Sequence, residues 1–264
     1  MRQRLDTLLV EAGLFPSREK ARAAVMAGLV LEGTQRLDKP GTKLKALPDN
    51  LLIKGDLCPY VSRGGLKLAG ALETFELDVQ QLIALDVGAS TGGFTDCLLQ
   101  AGAQYVYAID VGYNQLAWKI RQDPRVKVLE KVNARYLTPE DLYGAEDALA
   151  DLIVMDVSFI SVEKIFPVFK ALVKPNARIV SLIKPQFEAP RSENKKGIVA
   201  SPQAHLAVLE KIQAAAAQQG WFLHRIGLSP ITGKTGNREF LGLFEQSPPV
   251  NPPDLKAPTS LSMR

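Results

Sequence analysis

Cysteine and histidine are nearly missing from this 264-residue chain, which carries only Cys58, Cys97, His205 and His224. Two thiols cannot build a disulfide framework, and the four residues show no metal-site spacing, so no metal is expected. Long apolar runs are missing too, since none approaches the ~18 to 20 residues that span a bilayer. The opening Met1-Arg2-Gln3-Arg4 leads into an amphipathic pattern and not into a signal-peptide core. A strong charge of either sign is also lacking. Lys and Arg number 32 against 28 Asp and Glu, a net +4 that only weakly favours a polyanionic partner. Residues 1–59 hold 10 basic against 7 acidic residues (+3), and the remainder 22 against 21 (+1). These absences predict a reduced, cytoplasmic protein with no membrane partner. The length suits one large core plus a small accessory domain.

What is present concentrates in one stretch. Ala84-Leu85-Asp86-Val87-Gly88-Ala89-Ser90-Thr91-Gly92-Gly93-Phe94-Thr95-Asp96 ends an apolar strand in a turn of small residues, and a helix is predicted from Asp96 to Ala101. Glycine lets backbone approach a ligand closely, and a helix start offers unpaired N–H groups. A second strand from Tyr105 delivers Asp110, 22 positions after Gly88, where a carboxylate can accept from ribose hydroxyls. The stretch reads as a nucleoside-cofactor site. A dinucleotide would require G-x-G-x-x-G, and Ser90 stands at its second glycine. Asp86, two residues before Gly88, suits a cationic amine better than a pyrophosphate. The pattern favours S-adenosyl-L-methionine, with an oxidoreductase or a plain structural turn as alternatives.

The first 45 residues have a different pattern. Leu5, Leu8 and Leu9 repeat at helical spacing up to Gly13, and Ser17 is placed to cap a second helix that carries Ala21, Ala24 and Val25 inward up to Gly28. Arg18 and Arg22 share a face of that helix, with Lys20 near its edge, and arginine forks suit phosphate. The alternative is a solvated charged face. The order Arg4-Leu5-Asp6, Ser17-Arg18, Ala21, Gly28-Leu29-Val30, Gly33, Lys39-Pro40-Gly41 resembles the ribosomal S4-like RNA-binding domain, with Glu32 as a departure where that fold often has Asn. Residues 1–59 are thus expected to be an S4-like domain with its linker.

From Ser62 the pattern alternates strand and helix. Strands are expected at 82–87, 105–111, 126–131, 151–157, 178–183, 221–227 and 239–245, and a helix at 203–219. This predicts an α/β, Rossmann-like, doubly wound seven-stranded sheet whose last strand is antiparallel. The tail from Ser247 holds five prolines and is expected to be disordered. Ligands bind where the carboxyl ends of parallel strands gather. Those ends carry Asp86, Asp110, Asp156 and Lys184, and an antiparallel last strand adds Glu239 at its start. Lys67, in the helix opened by Ser62-Arg63-Gly64-Gly65, can reach the same edge. Charged groups there are costly unless paired, so the set reads either as ion pairs capping the sheet or as a Lys67–Asp156–Lys184–Glu239 catalytic tetrad.

The tetrad, the glycine turn, Ser62-Arg63-Gly64-Gly65, Met155-Asp156-Val157-Ser158-Phe159-Ile160, Ile183-Lys184-Pro185-Gln186-Phe187-Glu188 and Gly236-Asn237-Arg238-Glu239-Phe240 together resemble the TlyA family. Its members are ribosomal RNA 2′-O-methyltransferases related to the FtsJ/RrmJ enzymes, and the likeness covers residues 1 to about 246. The resemblance implies a class I S-adenosylmethionine-dependent methyltransferase domain at 60–246. It implies Lys67, Asp156, Lys184 and Glu239 as the catalytic set. Cofactor contacts are implied at Asp86, Gly88, Ser90, Gly92, Gly93, Phe94, Asp110, Asn133 and Asp156, and RNA contacts at Arg4, Arg18, Lys20, Arg22 and Arg63. The implied substrate is a cytidine 2′ hydroxyl in 16S and/or 23S rRNA, reached on ribosomal subunits. Lys184 would contact the 2′ oxygen, as base or as electrostatic positioner.

Two rival readings belong to other classes. Proteins of this resemblance often carry a haemolysin label, yet no spanning segment or long cationic amphipathic helix supports a membrane-acting toxin. A noncatalytic ribosome-assembly factor would not need the full tetrad. The run Gly227 to Thr235 imitates a P-loop, but five residues separate its glycines where four are required, and it leads into a strand.

Overall fold

The computed structural model describes residues 2–15, 17–54, 58–144, 148–233 and 235–260, and divides into a unit of Met1–Cys58 and a unit of Pro59–Arg264. In the first unit, strand β1 (Gln3–Arg4) leads into α1 (Leu5–Glu11), and α2 (Arg18–Met26) follows. Ser17 caps α2 by accepting from the Lys20 N–H at 3.3 Å. Leu5, Leu9, Ala21, Ala24 and Val25 close a small core with Phe15 and Val30. Strands β2 (Val30–Glu32) and β3 (Gln35–Arg36) form a hairpin at the Gly33 turn. Strand β4 (Lys43–Leu44) pairs with β1, and β5 (Leu51–Ile53) pairs with β2.

The second unit is a seven-stranded sheet. Its strands are β6 (Ile83–Val87), β7 (Tyr105–Asp110), β8 (Val126–Glu130), β9 (Ala150–Met155), β10 (Val173–Ile183), β11 (Phe222–Leu228) and β12 (Phe240–Glu245). They lie in the order β11-β12-β10-β9-β6-β7-β8, and β12 runs antiparallel to both neighbours. The expected last-strand reversal is present. Near-continuous apolar runs in β6, β9 and β10 agree with strands buried on both faces. One face packs against the helices Phe166–Leu172 and Pro202–Gln218, where Phe166, Phe169, Ile212 and Trp221 are buried. Leu68, Ala71, Phe94 and Leu98, from α3 (Gly64–Thr74) and α4 (Gly93–Gln100), line the other.

Two expectations need correction. Helix α4 starts at Gly93, three residues earlier than predicted, because Gly92 takes a left-handed φ of 91° as its N-cap. The proline-rich tail is not wholly disordered. Lys256–Ser260 form a short helix, and Leu255, Pro258 and Thr259 are buried. Leu255 joins the main core, and Arg238 donates to the Thr259 carbonyl at 3.2 Å. Proline fits the first turn of a helix, so proline content alone did not exclude one. Residues 261–264 lie outside the described residues.

Candidate active site

The carboxyl ends of the parallel strands and the start of β12 frame a cleft of about 760 Å³, within the size range of small-molecule sites. Lys67, Asp156, Lys184 and Glu239, far apart in sequence, all line it. Lys67 comes from the second turn of α3, Asp156 directly follows β9, Lys184 directly follows β10, and Glu239 directly precedes β12. They make two ion pairs, Lys67 Nζ to Glu239 Oε2 at 2.5 Å and Lys184 Nζ to Asp156 Oδ1 at 2.5 Å. Lys67, Lys184 and Glu239 are buried, so the pairing offsets what each charge would cost alone.

Residues beside these were not singled out from sequence. Lys184 Nζ also donates to Ser158 Oγ at 2.9 Å, and Gln186 Nε2 donates to Glu239 Oε1 at 3.3 Å. Each lies two positions from a tetrad member within a quoted motif, which was the available signal. Phe159, 91 % exposed, forms a ring pair with Phe187 at 5.1 Å, and both line the cleft. Asn194 lines it as well, and nothing in its sequence context marked it.

The glycine turn forms another wall. Gly88 has a φ of 88°, and a Cβ there would sit 2.8 Å from the Asp156 carbonyl oxygen, so only glycine lets the turn cross so near the end of β9. Gly88, Ser90, Gly93 and Phe94 line the cleft. Gly92 is buried against Leu116 and Ile120 and is not among the lining residues. Asp110 accepts from the Ser90 and Gly112 N–H groups at 2.7 and 2.6 Å, and it lies outside the lining set. Asn133 caps a short helical turn by accepting from the Arg135 N–H at 3.1 Å and lies outside the lining set.

Asp86 is fully buried beneath the turn and does not line the cleft. One oxygen accepts from Thr95 Oγ1 at 2.6 Å, and the other has no hydrogen-bond partner among the described residues. Burial, reinforced by the nearby Asp156 charge, raises its pKa to about 7 despite the Thr95 bond. A turn that excludes side chains, a helix start, the Asp110 carboxylate against that turn and an under-satisfied buried acid fit a cationic nucleoside cofactor.

Arg63 is exposed, lines the cleft and donates to the Thr232 carbonyl at 3.3 Å. In the first unit, Arg4 grips buried Asp6 through two bonds of 3.0 and 2.8 Å, and Arg18 reaches it at 3.3 Å. The Arg4 bonds, aided by Arg18, lower the Asp6 pKa to about 2 against the effect of burial. Both arginines remain largely exposed, Arg22 is exposed, and Lys20 donates to the Cys58 carbonyl at 3.2 Å. Among the described residues no cluster fits a metal, and no helix is long and apolar enough to cross a membrane.

The sheet order, the glycine turn and the tetrad cleft define a Rossmann-like methyltransferase with S-adenosylmethionine as its cofactor. Residues 60–245 match the FtsJ-like methyltransferase family, and residues 3–46 match the S4 domain. The chain is 51% identical over 242 residues to YqxC of Bacillus subtilis (strain 168), provisionally named an rRNA methyltransferase, covering 91% of this chain and 84% of that one. It is 42% identical over 241 residues to the 16S/23S rRNA (cytidine-2'-O)-methyltransferase TlyA of Mycobacterium tuberculosis, covering 90% and 88%. A solved structure from Streptococcus thermophilus, provisionally named a hemolysin, superposes with a TM-score of 0.76 at 43% identity, covering 98% of this chain and 94% of that one. The chain belongs to the TlyA family of FtsJ-like methyltransferases.

Proposed function

We propose that this protein methylates the ribose 2′ hydroxyl of a cytidine in 16S or 23S rRNA. The observation that carries the reading is the convergence of Lys67, Asp156, Lys184 and Glu239, as two ion pairs, on the cleft that the glycine turn also lines. S-adenosylmethionine, when bound, supplies a methyl group on a positively charged sulfur. Gly88, Ser90, Phe94 and Asp110 would hold it, with Asp86 acting from beneath as a buried anion.

A ribose hydroxyl is a poor nucleophile, so positioning contributes much of the acceleration. An ammonium has three N–H groups; Lys184 gives one to Ser158 and is held by Asp156 as an ion pair, which leaves a donor for the hydroxyl oxygen. The hydroxyl proton then passes to the Asp156 carboxylate, while the Lys184 ammonium steadies the oxygen that loses it. Glu239, held by Lys67 and Gln186, keeps the opposite wall in place. The exposed face of Phe159 suits stacking with a base turned out of its helix. Arg4, Arg18 and Arg22 would take phosphates on the S4 unit, and Arg63 would do so at the cleft.

Radiolabelled S-adenosylmethionine incubated with each ribosomal subunit lacking 2′-O-methylcytidine tests this. Label should enter rRNA and fall at least ~100-fold in Lys184→Ala, the range of a lost acid–base group. Cofactor binding without label in either subunit or in assembly intermediates would replace the enzyme by an assembly factor.

A further inference from the structure

Between the helices Pro185–Glu188 and Pro202–Gln218, the chain makes a tight hairpin, in which Lys195 and Ile198 exchange backbone bonds of 3.0 and 3.1 Å. Lys196 and Gly197 form its tip with φ of 53° and 84°, the paired left-handed residues of a two-residue turn. A Cβ at Gly197 would meet nothing within 4 Å, so the tip stands free. Lys195 and Lys196 are exposed, and neither makes an ion pair among the described residues. From Pro190 to Gly197 the segment carries Arg191, Lys195 and Lys196 against a single acid, Glu193. Asn194 and Gly197, on either side of the two lysines, both line the catalytic cleft.

Such a strained tip needs something to hold it. Asn237 does this from beneath, 1 % exposed. Its Nδ2 donates to the Gly197 carbonyl at 2.7 Å and to Thr235 Oγ1 at 2.8 Å, and its Oδ1 accepts from the Val199 N–H at 3.0 Å. Its own carbonyl accepts from the Gly233 N–H at 2.9 Å, closing the turn that precedes Glu239. One buried amide thus ties a lysine-bearing hairpin to the turn that carries a tetrad member.

We infer that the Lys195–Ile198 hairpin is an RNA-gripping element at the cleft mouth, with Lys195 and Lys196 on phosphates flanking the target nucleotide and Asn237 as its positioning residue. This rests on the RNA-methyltransferase reading above. Two ammonium groups without ion pairs among the described residues, at the rim of a cleft that Arg63 also lines, suit a polyanion, and phosphate contacts set register without reading sequence. The tetrad can then act on a ribose presented at a fixed depth.

The test uses the full-length protein with the ribosomal subunit that accepts label, prepared without 2′-O-methylcytidine, comparing wild type, Lys195→Gln/Lys196→Gln, Asn237→Ala and the triple variant. Removing two phosphate contacts should raise KM for the subunit roughly tenfold and flatten the log affinity against log salt slope by about 1.4, as for single-stranded contacts. S-adenosylmethionine affinity should not move in the lysine variant, which also reports that it is folded. Asn237→Ala should raise KM alone, yet raise it no further on top of the lysine changes, a non-additivity that mere destabilisation would not produce. Unchanged KM and salt slope in the lysine variant, with the wild type active, would overturn the hairpin assignment alone. Absence of wild-type methylation would overturn the functional reading together with it.

Discussion

Asp86→Asn tests how the glycine turn is charged. Burial holds the Asp86 carboxyl near pH 7 in the folded protein, whereas an ordinary aspartate releases its proton at 3.8. Between those values the native state keeps a proton that the unfolded chain has lost, so stability falls as pH rises from about 4 to about 7 and is level above that. The gap of about three pH units, at 1.36 kcal/mol each, amounts to ~4 kcal/mol. Asparagine is close in shape to the protonated acid and does not titrate. Urea unfolding of the cofactor-free protein at pH 4, 5, 6, 7 and 8 should show the variant near wild type at pH 4, ahead by roughly 1 to 2 kcal/mol at pH 5 and by several kcal/mol at pH 8, with ~4 kcal/mol as the ceiling. Taking the difference cancels titrations common to both proteins. At pH 8 the variant should also bind S-adenosylmethionine less tightly, because the buried anion that destabilises the empty site is what attracts the cation. Parallel stability curves for variant and wild type would refute the argument.

Other perturbations have directions set by the geometry. Gly88→Ala places a Cβ 2.8 Å from the Asp156 carbonyl oxygen at a left-handed φ, which should cost roughly 2 to 4 kcal/mol in urea unfolding. The same change should shift Asp156 and lower cofactor affinity, read by calorimetric titration. Asp6→Asn removes the shared partner of Arg4 and Arg18. Because the Asp6 pKa is depressed to about 2, its contribution is complete above about pH 4 and lost as pH falls toward 2. Thermal unfolding should therefore separate variant from wild type at pH 7 and bring them together on acidification.

Much of this site was legible because a parallel sheet converts local signals into a shared location. Apolar runs locate the strands, and the residue just past each run falls on one edge, which is how Asp156, Lys184 and Glu239 could be named together. Ser158 and Gln186 were missed, since hydrogen bonds between side chains of different loops have no periodic trace. The tail was misjudged because proline content speaks of intrinsic preference, while the burial of Leu255 depends on a surface built from distant parts of the chain.

The order of strands and helices, the glycine turn, the cofactor class and the identities of the tetrad follow from sequence alone, because each rests on residues adjacent in the chain or repeating at a backbone period. Tertiary structure decided how the tetrad pairs, Lys67 with Glu239 and Lys184 with Asp156. It also decided that Asp86 lies under the cleft floor and that Asn237 couples two loops 38 and 40 residues apart. Those outcomes depend on distances of a few ångströms between segments remote in sequence, which packing of the whole core sets and no local pattern encodes.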